Sequence, residues 1–399
     1  MSDEAKPLGG RLINRTILFL APFIALCVFV ILKRLFFGIG EVANLNGGYP
    51  WGLWISFDLL TGTGLACGGW ALAWAVYIFN KGEYHPLVRP ALLASLFGYA
   101  LGGFSITMDV GRWWNIPYFF FPNHINTGSV LFETAACMTI YISIVAIEFA
   151  PVLLEKIGFK KILKWLNKFM FIFIAIGALL PTMHQSSMGS LFIVAGHKIH
   201  PIWQSYEMLP LFSVLTAFML GFSIVVFEGS IFQASMRGRS PDETKLFYRL
   251  SFVTEAILAI FLVLRFGELI YHGKLHYIFA MDFYAKVFWV EVSFMVLPLI
   301  IFRMKQLRQD SRALLIAALS MIFAGAMWRI DLSLIAFDPG EGYRYFPSIQ
   351  ESLMTLGLVA IEVAGYIFIV KLLPVLPAIE LVHKQHIDTQ SQKEGLKTP

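Results

Sequence analysis

Ten long apolar segments alternate with polar loops along the chain. Each has about 20 mostly apolar residues, the length that a helix needs to cross the hydrocarbon core of a bilayer. The segments lie at 14–36, 51–79, 89–108, 127–150, 167–184, 206–233, 248–271, 284–303, 312–336 and 352–375. The pattern predicts an all-α polytopic membrane protein of about ten transmembrane helices. The membrane domain is expected at 14–375, between a polar N-terminal tail at 1–13 and a polar C-terminal tail at 376–399.

The composition points the same way. Of the 399 residues, 57% are hydrophobic and only 14% are charged, against about 25% charged in an average soluble domain. This excludes a soluble enzyme, a disordered chain and a disulfide-stapled module. The net charge of +5 is expected from basic cytoplasmic loops, so we expect contact with lipid and none with nucleic acid. The cysteines Cys27, Cys67 and Cys137 form no CxxC pair, so we expect no metal site and no iron–sulfur cluster in this chain.

The Lys and Arg residues between the segments predict the orientation. Loops after even-numbered segments carry most of them, for example Lys156, Lys160 and Lys161 after the fourth. Loops after odd-numbered segments carry only Arg112, Lys198, Lys274 and Arg344, apart from Lys33 and Arg34 at the end of the first segment. Because basic loops stay on the cytoplasmic side, we expect a multi-pass protein of the bacterial inner membrane with both termini in the cytoplasm.

The loops on the predicted outer side are rich in Trp, Tyr, Pro, Gly and His. The most unusual is 108–128, which contains Trp113, Trp114 and Tyr118. An aromatic belt at the membrane interface accounts for part of this composition. It does not account for the histidines or for the long Pro/Gly-rich loops. A folded outer surface that docks another protein, or caps a ligand cavity, explains them better.

Several ionisable residues interrupt the apolar segments. On insertion scales each costs about 2.5–3.5 kcal/mol, so such residues are functional candidates by default. They are Asp58, Glu133, Glu148, Glu228, Glu255, Arg265, Glu268, Glu291, Arg329, Asp331 and Glu362. Glu148 and Glu268 lie near segment ends, Arg265 and Glu268 are spaced to pair along one helix, and Arg329 and Asp331 could pair less directly.

Three carboxylates remain without a local cation: Asp58, Glu133 and Glu228. With Tyr99 in the third segment and His184 at the predicted outer end of the fifth, they form a series from the cytoplasmic to the outer side. Protonatable groups in low dielectric can hold and pass protons, as delivery to a buried acceptor requires. We therefore expect a proton relay.

Haem is not expected from the histidine pattern. Membrane haem b usually takes His ligands from two facing helices at matching depth, and no His lies well inside any predicted segment. His184 is the nearest. The chain then has no evident electron carrier of its own, so a partner must bring the electrons.

Five stretches resemble the NrfD/PsrC family of quinone-interacting membrane subunits, and within it the HybB-type, so-called b-type cytochrome, subunits of membrane-bound nickel–iron hydrogenases. They lie at 50–69, 108–115, 181–192, 209–228 and 344–352. The resemblance implies two four-helix bundles, from the second to fifth and the sixth to ninth helices, flanked by the first and last. It implies no haem, and menaquinone or ubiquinone bound near the outer face. It also implies a ferredoxin-like iron–sulfur subunit docked there, linked to the large and small hydrogenase subunits.

The family's functional polar positions correspond here to Asp58, Tyr99, Glu133, His184 and Glu228. We expect Tyr99, Glu133 and Glu228 to relay protons. We expect Asp58 and His184 to contact the quinone head-group, with Trp113, Trp114 and Tyr118 nearby.

The leading hypothesis is a quinone-reactive subunit of a respiratory nickel–iron hydrogenase complex. It would pass electrons from the iron–sulfur partner to quinone, with proton uptake through the membrane domain, while hydrogen itself reacts in the partner. One alternative is the same scaffold serving a polysulfide, nitrite or formate oxidoreductase. Another is a proton-coupled secondary transporter, since intramembrane carboxylates also suit that function.

Overall fold

The computed structural model describes residues 7–235 and 243–376. It confirms the all-α polytopic fold, with ten helices in these ranges that are long and apolar enough to cross a membrane. They are α1 Arg15–Phe37, α2 Trp54–Ile78, α3 Gly82–Asp109, α4 Val130–Ile157, α5 Lys160–Val194, α6 Leu209–Ile231, α7 Thr244–Tyr271, α8 Phe283–Arg303, α9 Ser311–Ile335 and α10 Ile349–Leu372.

The helices form two closed rings of four. In the first bundle α2 packs against α3, α3 against α4, α4 against α5 and α5 against α2; in the second bundle α6, α7, α8 and α9 follow one another in the same way. Helix α6 joins the rings by packing against α2 and α5. Helix α1 packs along α10, and α10 lies against α2 and α3. The first and last helices therefore stand together beside the first bundle.

The loops alternate in length. Those at 38–53, 110–129, 195–208, 272–282 and 336–348 are long and share one end of the molecule, the long-loop face. The connections at the opposite end, such as Gly158–Phe159 between α4 and α5, are short where they are described. An isolated β-bridge between Ile199 and Phe337 ties two of the long loops together.

Two charged residues at the end of α1 did not fit the basic-loop pattern, and their contacts explain why. The Arg34 guanidinium donates to the carbonyl oxygens of Met108 and Val110, at 2.7 and 2.5 Å, and is buried. Lys33 Nζ donates to the Glu41 carbonyl at 2.9 Å. These residues fasten the end of α1 to its neighbours, so they carry no information on orientation.

The predicted tails are only partly visible. Residues 377–399 of the predicted C-terminal tail lie outside the described residues. The described part of the N-terminal tail is not free, because Leu8 N donates to the Val370 carbonyl at 3.2 Å and Lys371 Nζ donates to the Arg11 carbonyl at 2.6 Å. The N-terminal segment is thus bound to the end of α10.

Helix α5 is longer than predicted. It spans Lys160–Val194, 35 residues, instead of the expected 167–184. Lysines, which are good helix formers, extend it before the apolar run, and residues 185–194 extend it at the other end. His184 is therefore ten residues before the end of the helix, or about 15 Å at 1.5 Å per residue. The expectation that no histidine lies well inside a helix was wrong.

Candidate functional site

An apolar cavity of about 440 Å³ lies between α2, α3, α6 and α10. Most of its lining is aliphatic or aromatic, but three carboxyl groups also reach it: Asp58, Glu228 and Glu362. Cavities of roughly 300–1,000 Å³ with few polar groups are typical of small-molecule sites. The cavity is therefore an apolar site with three carboxyl groups on its wall.

Glycines on α3 make room for this arrangement. A side chain at Gly98 would place its Cβ 2.6 Å from the Ala66 Cβ on α2, and one at Gly102 would approach Thr63 to 3.0 Å. Both glycines line the cavity. The small residues let α3 pack closely on α2, as small residues do between membrane helices.

Asp58 lies in a π-helical turn at Trp54–Thr61, where α2 begins. Such turns occur often at functional sites. The Asp58 side chain is buried, and Thr355 of α10 donates its hydroxyl to Asp58 Oδ2 at 3.0 Å. Asp58 is thus held by the helix across the cavity, near the long-loop face.

Glu228 and Glu362 supply the other carboxyls. Glu228 lies close to the end of α6 opposite the long-loop face and within electrostatic reach of Glu362 on α10. Tyr366, one turn after Glu362, also lines the cavity. Glu362 was recognised only as a charged residue in an apolar segment and was not assigned to the site. Its signal was the same as that of Asp58, a carboxylate with no local cation.

Tyr99 and His184 meet outside the cavity, in the core of the first bundle. Their ring centroids are 5.6 Å apart, and both residues are fully buried. The Tyr99 hydroxyl lies 3.4 Å from Cys67 Sγ, and His184 Nδ1 lies 3.1 Å from the Thr134 carbonyl. His184 Nε2 has no hydrogen-bond partner among the described residues.

A buried cation stands beside this pair. The Arg329 guanidinium, on α9, donates to Gln185 Oε1 at 2.9 Å, the Ser213 carbonyl at 3.1 Å and Thr216 Oγ1 at 3.3 Å, and it also contacts the Leu60 carbonyl. None of the ion pairs seen among the described residues includes it. The expected pairing with Asp331 is not formed, because the Arg329 side chain points toward α2, α5 and α6.

The remaining predicted residues lie apart from the cavity. Trp114 is 59% exposed and Tyr118 is 52% exposed on the long-loop face, and Trp113 is half-buried against Trp114. Glu133, in the first turn of α4, is exposed on the outside of the first bundle. The structure therefore brings Asp58 and Glu228 to one cavity, pairs Tyr99 with His184, and leaves these four residues on the surface.

Among the described residues, no group of three or more His, Cys, Asp and Glu side chains is arranged to hold a metal ion.

Comparisons with known proteins show several relatives. The "Probable Ni/Fe-hydrogenase 2 b-type cytochrome subunit" of Escherichia coli is 61% identical over 95% of this chain and 97% of its own. A protein of Nitratidesulfovibrio vulgaris is 31% identical over 85% of this chain and 88% of its own. The "Menaquinone reductase, integral membrane subunit" of the same organism is 29% identical over 39% of this chain and 38% of its own.

The first of these names contradicts our expectation that no haem is involved. A b-type cytochrome is a haem protein, so the relative's name points to haem. The expectation rested on the lack of paired histidines inside helices, whereas haem iron also accepts a single proximal His or other axial ligands. Fully buried His184 has a ring nitrogen without a protein partner. It is the one fully buried histidine among the described residues, however, and the cavity lining contains no His, Cys or Met. These side chains do not assemble a ligand pair for haem.

The family model described as "Polysulphide reductase, NrfD" matches residues 41–336. The match includes α2 to α9, and therefore both four-helix bundles and most of the cavity. Together with the 61% identity to a relative over nearly its whole length, it shows that this chain belongs to the NrfD family.

Proposed function

We propose that this chain is the quinone-reactive membrane subunit of a respiratory nickel–iron hydrogenase complex. In this proposal a partner iron–sulfur protein delivers electrons from the hydrogenase subunits to menaquinone or ubiquinone, and the membrane domain supplies protons. The observation that carries the proposal is the apolar cavity with three carboxyl groups on its wall. The names of two relatives, one of which contains the word hydrogenase and the other the word menaquinone, are consistent with this proposal.

The chemistry of quinone reduction matches the cavity. A quinone has an apolar ring and an isoprenoid tail, which suit aliphatic walls, and two carbonyl oxygens that must each take up a proton. Asp58 is oriented by Thr355 at one end of the cavity, where it can hydrogen-bond to a quinone carbonyl. Glu362 and Glu228 continue from there toward the inner end of α6. These carboxyls form the proposed proton route to the quinone.

Tyr99 and His184 have a secondary role in this proposal. Tyr99 lies between Gly98 and Gly102, which line the cavity, but its side chain points to the other side of α3. We propose that Tyr99 and His184 pass protons within the first-bundle core, next to the cavity. Glu133, on the exposed side of α4, is proposed to act where that core meets a docked partner.

We place the long-loop face on the outer side of the inner membrane and both termini in the cytoplasm. The support is the distribution of Lys and Arg among the loops. The partner iron–sulfur subunit is proposed to dock on the exposed aromatic residues of that face, which include Trp114, Tyr118, Phe120 and Phe121. Aromatic residues are enriched in the cores of protein interfaces.

The test uses the intact complex with Asp58→Asn or Glu228→Gln. Hydrogen oxidation is measured with a soluble dye, which bypasses this chain, and with a quinone analogue, which requires it. We expect both variants to retain dye reduction and lose quinone reduction. The control is Glu207→Gln, a carboxylate on an exposed loop. Full quinone reduction by Asp58→Asn would contradict the assigned site.

The menaquinone reductase relative supports one other function, the same quinone chemistry in a different oxidoreductase. The proteins that co-purify with this chain in mild detergent decide between the two. Recovery of large and small nickel–iron hydrogenase subunits supports our proposal, and recovery of another catalytic subunit contradicts it.

A further inference from the structure

The second bundle contains a buried charged cluster that the proposed quinone chemistry does not use. Its members are Arg265 and Glu268 on α7, Glu291 on α8 and Asp331 on α9, each no more than 8% exposed. We call them the second-bundle cluster. Glu291 Oε1 lies 3.9 Å from Arg265 Nη2, and Trp203 Nε1 donates to Glu291 Oε2 at 2.9 Å. Glu268 and Asp331 are within electrostatic reach of the same guanidinium.

The Arg265 side chain points into the cluster without a single direct hydrogen bond. Its three guanidinium nitrogens, both carboxylate oxygens of Glu268 and Asp331 Oδ2 have no hydrogen-bond partner among the described residues. The ring of Phe288 lies 5.7 Å from the guanidinium carbon. A separation of 3.9 Å is too long for a hydrogen bond. Buried polar groups at such distances are normally bridged by water.

The charges in and around the cluster do not cancel. Two neighbours from the loop after α7 approach Glu268: Lys274 Nζ at 3.5 Å and His272 Nε2 at 3.8 Å. Two permanent cations, Arg265 and Lys274, thus face three carboxylates, while Arg329 points away into the first bundle. With every group ionised and His272 neutral, one negative charge is left over. An uncompensated charge is costly at membrane depth.

Protonation of one carboxyl removes this excess. Asp331 and Glu291 are close enough to interact electrostatically, and two carboxylates that share a site retain one proton between them. Glu268 is the less suitable holder, because Lys274 approaches it directly. The proton therefore belongs to the Glu291–Asp331 pair.

We propose that the second-bundle cluster is a proton-binding site that exchanges with the long-loop face. Glu291 and Asp331 share one proton. It leaves through water bound to Arg265, passes Glu268 and reaches the surface at His272, whose side chain is 41% exposed. The step moves one proton and no electrons, so it needs no oxidant or reductant. The site is separate from the cavity, because none of its members lines that cavity.

The number of protonated carboxyls can be counted by infrared difference spectroscopy of the purified complex, using the carbonyl stretch of the protonated form. The charge balance predicts one proton on the cluster in the unaltered protein and none in Asp331→Asn or Glu291→Gln. It predicts two in Arg265→Gln, because that variant loses a cation. The control Glu207→Gln leaves the signal unchanged. Subtraction of each variant from the unaltered protein cancels contributions from the cavity carboxyls, so the result is independent of the proposed quinone site.

Three outcomes would overturn the proposal. The first is a signal that persists in both Asp331→Asn and Glu291→Gln. The second is no gain of signal in Arg265→Gln. The third is loss of the signal on addition of sodium at constant pH, which would show that the cluster takes a metal cation instead. A further variant, His272→Phe, leaves the charge balance and therefore the signal unchanged but slows exchange of the proton in deuterated water; unchanged exchange refutes the route.

Discussion

Arg329 gives the sharpest test of how the two bundles are held together. Its guanidinium makes four hydrogen bonds to groups on α2, α5 and α6. A hydrogen bond to a charged group contributes at least about 1.5 kcal/mol, so four represent about 6 kcal/mol. Replacing the cation by Met also returns the cost of an intramembrane charge, about 3 kcal/mol. The net expectation for Arg329→Met is a loss of about 3 kcal/mol, or roughly a hundredfold in the unfolding equilibrium.

Unfolding of the purified chain by a denaturing detergent, followed through its tryptophan fluorescence, measures this loss. Arg329→Lys separates charge from geometry, because Lys keeps the charge but lacks the planar fork of donors; it should be destabilised, though less than Arg329→Met. The control is Arg344→Met, since Arg344 is exposed on the long-loop face. If Arg329→Met unfolded at the same denaturant concentration as Arg344→Met, the hydrogen bonds would not hold the bundles together.

Three further predictions concern other parts of the molecule. Burial lowers the pKa of His200, whose ring stacks on that of Tyr284 with 4.1 Å between the centroids. The stabilising contribution of His200 is therefore complete above its ordinary pKa of about 6.5 and is lost as the pH falls below that value. His200→Phe should flatten the acid side of a plot of melting temperature against pH. Tyr345 donates its hydroxyl to Glu351 Oε1 at 2.5 Å, so Tyr345→Phe should lower the free energy of unfolding by about 1–3 kcal/mol in a denaturant titration, and no change would refute that role. Glu362→Gln should reduce quinone reduction by about a hundredfold, as expected for loss of a proton-transfer group, with dye reduction by the complex unchanged; equal losses in both assays would instead indicate faulty assembly.

The ten helices could be predicted because their signal is strong and local. About 20 apolar residues in a row have few alternatives to a membrane helix, and all ten predicted segments correspond to a helix. The ends were less predictable, since polar as well as charged residues can extend a helix beyond its apolar part. At α5 this error misplaced His184 and weakened the argument about haem.

The candidate site was predictable only in part. The cost of a carboxylate in lipid singles out Asp58, Glu228 and Glu362 whatever the fold. Which of them meet depends on the rotation of each helix about its axis, and a membrane helix that is apolar on all sides does not encode that rotation in its pattern. Glu133 shows the consequence, because it resembles the others in sequence but lies on an exposed side of α4. The close packing at Gly98 and Gly102 depends on two helices together, so the sequence of one segment alone does not predict it.

The pairing of the first helix with the last has a consequence for biogenesis. One wall of the cavity, with Glu362 and Tyr366, comes from α10, which leaves the ribosome after the other nine described membrane helices. Until α10 inserts, α1 lacks its packing partner, the N-terminal segment lacks the carbonyls it binds, and Asp58 lacks its hydrogen bond to Thr355. The nascent chain therefore has no closed cavity to load. Insertion of α10 and formation of the closed cavity are therefore a single event, so a chain truncated before α10 is unable to sequester a ligand there.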